Sequence, residues 1–509
     1  MKKNSGFIFS VTLIFIVFTA VPYLWGILLT PGDGKFIGFT RNIDDMAVYM
    51  SWIKQVMDGN FITYNLFQEN IKSGMQINIY FVILGWIAKL ISFSPTAILH
   101  LFMVLQNAVL VYVFWLFTKL FFKEDTPRKI ALVCFLFAGG IGGFVHELNS
   151  IDLWQTEAIT FMSAYLNPLF TISLIIMIGI SYNLLRYFQS FSMKYLIFAS
   201  LLFLILGNVH TYDCVIIAFV WISYTLFTVI YRKDEIKSVC KFLLLNALFL
   251  ILGSVSILFN FFIYMKDEIY RSRVESMIFT PSIGSVLSGF GLLVLFSILG
   301  IFFYRGKKIN INHFTFLLIW LILGLLVIYI PFSQQRKFIM GYEIPLSLMT
   351  GSAIFYISSL IHKRFFKNIF LCTIIILMSF TNFYNIKNDV DKLAEMKTAT
   401  HYFAYMSDDE LEVLNFIKEN KKNFSTVWAS PQISLFIPSY TGVNVYYGHW
   451  SETPNYANKL KDYLNFVSGN GYKIFGDSFV IPVEVAEKFE ENYPKQKILF
   501  QNRSFVIFQ

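Results

Sequence analysis

Charge is what this sequence has least of. Asp, Glu, Lys and Arg together make up 14% of its 509 residues, against about 25% in an average soluble chain. With 56% apolar residues and a mean hydropathy of +0.59, it carries more apolar surface than one aqueous core can hide, whereas a bilayer can solvate it. That argues against a soluble globular protein. Cysteine is scarce as well. Cys134, Cys214, Cys240 and Cys372 lie in or beside apolar runs without metal-type spacing, so they read as small buried hydrophobes and imply no disulfide framework. The net charge of +9 is not gathered into a patch. The basic residues sit in short gaps between apolar runs, where they set topology, and no nucleic-acid module is present. Internal repeats and low-complexity tracts are missing. So is an A-x-A cleavage site after the first apolar run, which is too long for a signal peptide and reads as an uncleaved helix with a cytoplasmic N-terminus.

What is there is a series of apolar runs long enough to span: 7–30, 96–122, 129–145, 164–186, 194–209, 212–231, 241–265, 285–304, 312–331, 340–361 and 366–385. A further run, 77–93, holds Lys89, Gly85 and Trp86 and sits at the lower length limit of about 17 residues for a span. The positive-inside rule decides its reading. If 77–93 does not cross, the loops carrying Lys123 and Arg128, Arg186 and Lys194, Arg232 to Lys241, Arg305 to Lys308 and Lys363 to Lys367 all share one face with Lys2 and Lys3. If it crosses, they all flip away from the N-terminus. The sequence therefore predicts about eleven spans in a transmembrane domain, 1–385, with 77–93 a surface element. Segments 31–95, 146–163 and 266–284 then lie outside.

Residues 386–509 change character and form an extracytoplasmic domain. Segment 408–420 has helix periodicity, with Asp408 or Asp409 as N-cap. Segments 425–430 and 443–450 read as strands, 454–467 as a helix with Pro454 in its first turn, and the end as a hairpin around Gln501-Asn502-Arg503. The fold class is mainly α: a polytopic transmembrane helical bundle with amphipathic surface helices in the first outer loop and a small C-terminal α/β domain.

The first outer loop contains RNIDDMAVYMSWIKQVMDGNF. Asp44 and Asp45 open an amphipathic helix on which Met46, Tyr49, Met50, Ile53 and Met57 share a face. Acids at a helix N-terminus are also favoured simply by the backbone dipole. The layout of a single span, an Asp-Asp loop, a Gly-Asn-Phe turn and a surface helix ending LGWIAKLIS resembles the GT-C superfamily of membrane glycosyltransferases. That superfamily includes protein O-mannosyltransferases, oligosaccharyltransferase catalytic subunits and the aminoarabinose transferase of lipid A. The resemblance covers the whole layout and is sharpest over residues 41–60.

The resemblance implies hexosyl or pentosyl transfer, with inversion, from a polyprenyl-phosphate sugar donor to a glycan, lipid or protein acceptor at the outer face of the cell membrane. It places the role of base or acceptor-orienting residue on Asp44, with Asp45 second. A carboxylate there can accept a hydroxyl proton, and the lipid phosphate needs charge neutralisation more than protonation. It also implies a second acid in the next outer loop, where Glu147, Asp152 and Glu157 are candidates. Some relatives use a divalent metal, Mg, Mn or Zn, for which Asp44, Glu157 and His146 could supply hard oxygens and one nitrogen; water-solvated loop carboxylates read equally well. Arg336 and Lys337, just before a span, and Arg271 and Arg273 are candidates for the donor phosphate, or for lipid headgroups.

His210 and Asp213, at a turn between spans, should face a polar cavity or form a local hydrogen-bond network. With them, Tyr49, His449, Trp450 and Glu452 are candidates for the cavity and the acceptor. The stretch YYGHWSETPNY stands out in the tail. Its Trp suits stacking on a sugar face or lying at the bilayer surface. A strand-to-helix turn with Thr453 as N-cap and Trp450 in the domain core is the structural alternative. Two other functions compete: a transporter or flippase of a lipid-linked substrate, and a non-catalytic polysaccharide assembly factor on the same scaffold. Transport predicts charges within the spans, and the runs hold almost none.

Overall fold

The computed structural model describes residues 4–69, 75–232, 236–304, 311–396, 404–468 and 474–509. It is mostly helical, and contacts sort the chain into two compact units. The first comprises Met1–Val21, Leu101–Phe262 and Glu275–Asn388; the second comprises Pro22–His100, Ile263–Val274 and Asp389–Gln509.

Six helices among the described residues are long and apolar enough to cross a membrane, or up to eight if each of two bent pairs is one span. Three shorter apolar helices, Ile79–Ile91, Met193–Val209 and His313–Val327, accompany them. Side chains such as Phe9, Leu28, Leu258 and Phe302 stand exposed along these helices, as lipid contact requires. The protein is a polytopic membrane protein. The eleven expected runs are not matched one for one by unbroken helices. Run 241–265 is bent by 46° between Gly253 and Val255, and run 285–304 by 78° between Phe290 and Leu292, where Gly291 has φ 46°.

Run 129–145 is not a continuous helix either: the helix Asp125–Phe137 stops short of the Ala138–Gly143 stretch. Non-helical backbone in such a unit needs partners buried with it, and it has them. Asn382 donates to the carbonyls of Phe137 and Ala138, at 2.9 and 3.1 Å. Thr381 Oγ1 donates to Gly140 O at 3.0 Å and accepts from Gly143 N at 3.0 Å. Gly139 N reaches Met378 O at 2.7 Å, and Ile141 N reaches Ser288 O at 2.9 Å. Polar residues in an apolar run thus replace the missing helical bonds.

The second unit carries both sheets. Strands β1 (Gly34–Phe36) and β2 (Tyr405–Ser407) pair antiparallel. Strands β3 (Thr426–Trp428), β4 (Asn444–Val445), β5 (Ser478–Pro482), β6 (Ile498–Gln501) and β7 (Phe505–Phe508) form a sheet of order β4-β3-β5-β7-β6. The first two pairings are parallel and the last two antiparallel, with β6 and β7 as the expected hairpin. Its core gathers Trp428, Tyr447, Tyr463, Phe466, Phe479, Phe489 and Phe508.

Local detail differs from the sequence reading. Helix Asp408–Glu419 is capped by Ser407, not by Asp408 or Asp409, in a reciprocal capping box with Glu410. The 443–450 strand ends at Val445, and the next helix starts at Tyr456 behind Asn455 rather than at Pro454. Two helices, Pro431–Thr441 and Val483–Asn492, add to the expected elements.

Candidate functional site

Helix Ile43–Met57 begins after Asn42, whose left-handed φ of 50° turns the chain sharply into it. Asp44 and Asp45 fall in its first turn, where the backbone N–H groups favour negative charge. The expected apolar face is real: Met46, Tyr49, Met50 and Ile53 are buried. Tyr49 packs between Trp52 and Phe81, with ring centroids 5.7 and 4.7 Å away. Burial extends to Ile43, Ala47, Trp52 and Val56, because helices Ile79–Ile91 and Pro431–Thr441 pack against this one.

The Gly448-His449-Trp450 turn of the same unit meets the acidic pair. A β-carbon on Gly448 would lie 2.7 Å from the Phe67 ring and 3.0 Å from Ser434 O, so glycine is needed for the backbone to come this close. Residues 63–68 hold the turn from the other side. Asn65 Nδ2 donates to Glu452 O at 2.6 Å, and Thr453 Oγ1 donates to Phe67 O at 2.9 Å while accepting from Gly448 N at 3.1 Å. Thr453 therefore ties down the turn and caps no helix.

Trp450 Nε1 donates to Asp44 Oδ2 at 2.8 Å. Its ring is 55% exposed, so it is no part of the domain core. His449 is buried, and its Nε2 lies 3.5 Å from Asp45 Oδ1 and 3.7 Å from Asp44 Oδ2. Its Nδ1 accepts from the backbone N–H groups of Ser451 and Glu452 at 3.1 and 3.3 Å. Two donors on Nδ1 select the tautomer with the proton on Nε2, facing the carboxylates.

Burial raises the pKa of Asp44 above the usual carboxylate range, and the neighbouring charge of Asp45 adds to it. His449, the Asp45 N–H and the Trp450 indole oppose the rise without cancelling it. For His449, burial pulls the pKa down, but Asp45, Asp44 and Glu452 outweigh it and the net shift is upward. The result is a partly exposed carboxylate, oriented by an indole N–H, with more than ordinary proton affinity.

The first unit holds a separate set of candidates. Glu157 is buried and accepts from Arg336 Nε at 3.2 Å. The Arg336 guanidinium lies 5.2 Å from the Trp154 ring centroid, and its backbone carbonyl accepts from Gln155 Nε2 at 3.3 Å. Lys337 Nζ sits 4.6 Å from the Tyr212 ring. His210 Nδ1 is 2.9 Å from the buried carboxylate of Asp213. Asp152 is fully buried and accepts from Gly142 N at 3.2 Å, bracing the glycine-rich stretch. Glu147 is exposed.

In the second unit, Arg271 donates to the carbonyls of Tyr264 and Met265, at 3.2 and 2.8 Å, closing the end of helix Val255–Lys266. Arg273 lies in helix Glu268–Glu275, and its side chain falls outside the described residues. One acid escapes a reading based on loops: Glu343 is buried and accepts from Thr160 N at 2.6 Å. An acid inside an apolar run was itself the signal.

No family model and no curated protein matches this chain. Solved structures do. The Archaeoglobus fulgidus oligosaccharyltransferase, solved in complex with Zn and sulfate, matches with a TM-score of 0.53 and 12% identity over 93% of this chain and 69% of its own. ArnT from Cupriavidus metallidurans in the apo state matches at 0.53 with 10% identity, over 98% of both chains. The same protein bound to undecaprenyl phosphate matches at 0.52 with 11% identity, over 97% of both. The mycobacterial arabinofuranosyltransferase AftD matches at 0.51 with 10% identity, over 97% of this chain and 39% of its own. This chain has the GT-C fold.

The zinc of the archaeal structure raises the question of a metal in this chain. Among the described residues, no three His, Cys, Asp or Glu side chains gather as a metal group. The candidate ligands have other partners: Asp44 takes the Trp450 indole, Glu157 takes Arg336, and the His146 ring lies 4.8 Å from that of Tyr384.

Proposed function

We propose that this protein transfers a sugar from a polyprenyl-phosphate donor to a hydroxyl-bearing acceptor, with inversion, at the extracytoplasmic face of the cell membrane. The observation that carries this reading is the Asp44 carboxylate: in the first turn of its helix, oriented by Trp450 Nε1 at 2.8 Å, with its proton affinity raised by burial and by Asp45. The acceptor oxygen attacks the anomeric carbon, the bond from that carbon to the phosphate oxygen breaks, and polyprenyl phosphate leaves with the electron pair. Asp44 takes the acceptor proton. An acid-range carboxylate is too weak a base at neutral pH, and the raised affinity brings Asp44 nearer the working range.

The lipid on the donor is supported by the undecaprenyl phosphate in the ArnT structure, and the class of reaction by the names of the other neighbours. Donor phosphate falls to Arg336, whose guanidinium is 27% exposed and keeps N–H groups beyond the Nε that meets Glu157. Arg271 is spent on helix-end carbonyls and is the weaker choice.

The test is release of polyprenyl phosphate from labelled polyprenyl-phosphate sugars by the protein in nanodiscs. Asp44→Asn should lower turnover by about 10²–10⁴-fold, the range of a lost general base, with unchanged expression and thermal stability. Wild-type turnover in Asp44→Asn would remove the base assignment.

A further inference from the structure

Trp450 combines two properties seldom found together. Its indole is fixed at one edge by the bond to Asp44 Oδ2 at 2.8 Å, yet the residue is 55% exposed. A single exposed aromatic is ordinary on a protein surface, so what it can bind is decided by the groups fixed at its edge. For membrane contact these surroundings are wrong. The indole donates to Asp44, whose neighbour Asp45 is 48% exposed, and the one other titratable acid of its turn, Glu452, is buried. The nearby titratable group of opposite character is His449, which is 1% exposed, so no cation is presented to solvent beside the indole in this turn. Bilayer-facing turns pair aromatics with Lys or Arg, which meet phosphate headgroups.

The chemistry that fits is different. An aromatic face takes the C–H face of a pyranose or furanose ring, and carboxylates at its edge accept hydrogen bonds from ring hydroxyls. The same carboxylates repel a phosphate or carboxylate brought to the same place. His449 supplies a second, independent sign. Its buried Nε2 faces both carboxylates of the acidic pair, from 3.5 and 3.7 Å, and holds them toward the turn that carries Trp450. A carboxylate has about four lone-pair sites, so Asp44 can hold the Trp450 N–H and the His449 contact and still accept from an incoming hydroxyl.

We infer that the acceptor is an uncharged saccharide, bound with one ring stacked on Trp450 and a hydroxyl directed at Asp44, rather than a phosphate, a carboxylate or a lipid surface. This rests on the assignment of Asp44 as base. It adds the class of acceptor and a specificity device: the residue that orients the base also seats the sugar. Charge at the Asp pair then rejects anionic acceptors before chemistry begins.

The experiment uses the full chain in nanodiscs, labelled with 5-fluorotryptophan, with the Trp450 fluorine resonance assigned by its loss in Trp450→Phe. The probes are maltose, cellobiose and lactose as neutral disaccharides, glucose 1-phosphate as the anionic sugar, and nanodiscs of zwitterionic or anionic lipid. The neutral disaccharides should move the Trp450 resonance at millimolar concentration, and glucose 1-phosphate should need at least tenfold more. In the Asp44→Asn, Asp45→Asn double variant that gap should close. A resonance unmoved by every disaccharide, a glucose 1-phosphate response at equal or lower concentration, or a shift produced only by changing the lipid overturns the inference. The turnover of Asp44→Asn is read separately. Neutral saccharide binding together with a fully active Asp44→Asn would retire the base and leave the saccharide seat standing.

Discussion

Asp44 works against three neighbours whose influences have opposite signs, and this makes its chemistry testable one residue at a time. Burial and the Asp45 charge raise its pKa; His449 and the Trp450 indole lower it. A general base acts only when deprotonated, so with Asp44 as the proposed base the acid limb of the pH–rate profile follows its pKa. That limb should lie above the ordinary aspartate range. Removing the like charge in Asp45→Asn stabilises the carboxylate and should move the limb to lower pH. Removing the indole N–H in Trp450→Phe withdraws a bond to the charged form and should move it to higher pH. Initial rates from pH 4 to 9 for the three proteins check both directions, and two shifts of the same sign would show that Asp44 does not set the limb. His449 cannot replace it as base. Its Nδ1 lone pair is occupied by two backbone N–H groups, and its Nε2 carries the proton in both the neutral and the charged ring.

At the scale of elements, the question is what holds the Asp44 turn in place. Arg41, three residues before Asp44, points its Nε at both oxygens of Asp389, at 2.7 and 2.9 Å, and the Asp389 side chain is fully buried. Asp389 belongs to the same unit as Arg41, so the pair fixes the entry of helix Ile43–Met57 within that unit. Removing one partner of a buried ion pair costs about 3–5 kcal/mol, whereas replacing both with apolar residues costs far less. Asp389→Leu alone should lower the apparent melting temperature more than the Arg41→Met, Asp389→Leu double variant. A double variant at least as unstable as Asp389→Leu would show that packing, not the broken ion pair, sets the cost.

Nothing local in the sequence announced this pair or the bond from Trp450 to Asp44, whose partners lie 406 residues apart. What the sequence did disclose was the Asp-Asp pair opening an amphipathic helix, the conspicuous Gly-His-Trp turn and the closing hairpin, each of them a local pattern. Helix breaks were half legible. Gly139 to Gly143 and Gly291 could be seen as helix breakers, but an apolar run is counted as one span unless the polar partners of the broken backbone, here Asn382, Thr381 and Ser288, are known. The missed cap at Ser407 was a simpler case, since Ser-x-x-Glu is readable in the sequence and outranks the acids that follow it.

For the whole molecule, one short helix decides which way the protein faces. Helix Ile79–Ile91 has 13 residues, about 20 Å at 1.5 Å per residue, against a hydrocarbon core of about 30 Å. If it lies along the surface, the basic loops share the cytoplasm with Lys2 and Lys3, and the C-terminal sheet stands outside with Asp44. If it crosses, the parity of every later segment inverts and the basic loops face outward, against the charge rule. Two positions read the parity directly. Lys194 lies in the first turn of helix Met193–Val209, beside a basic loop, and the exposed Asn492 ends helix Val483–Asn492. In a cysteine-free background, which Cys240 and Cys372 require because both are exposed, a membrane-impermeant maleimide applied to intact spheroplasts should label Asn492→Cys and spare Lys194→Cys. Permeabilised cells should label both. The reverse pattern in intact spheroplasts would put the Asp44 turn on the cytoplasmic side. The proposed transfer would then have to draw on a donor presented at that face.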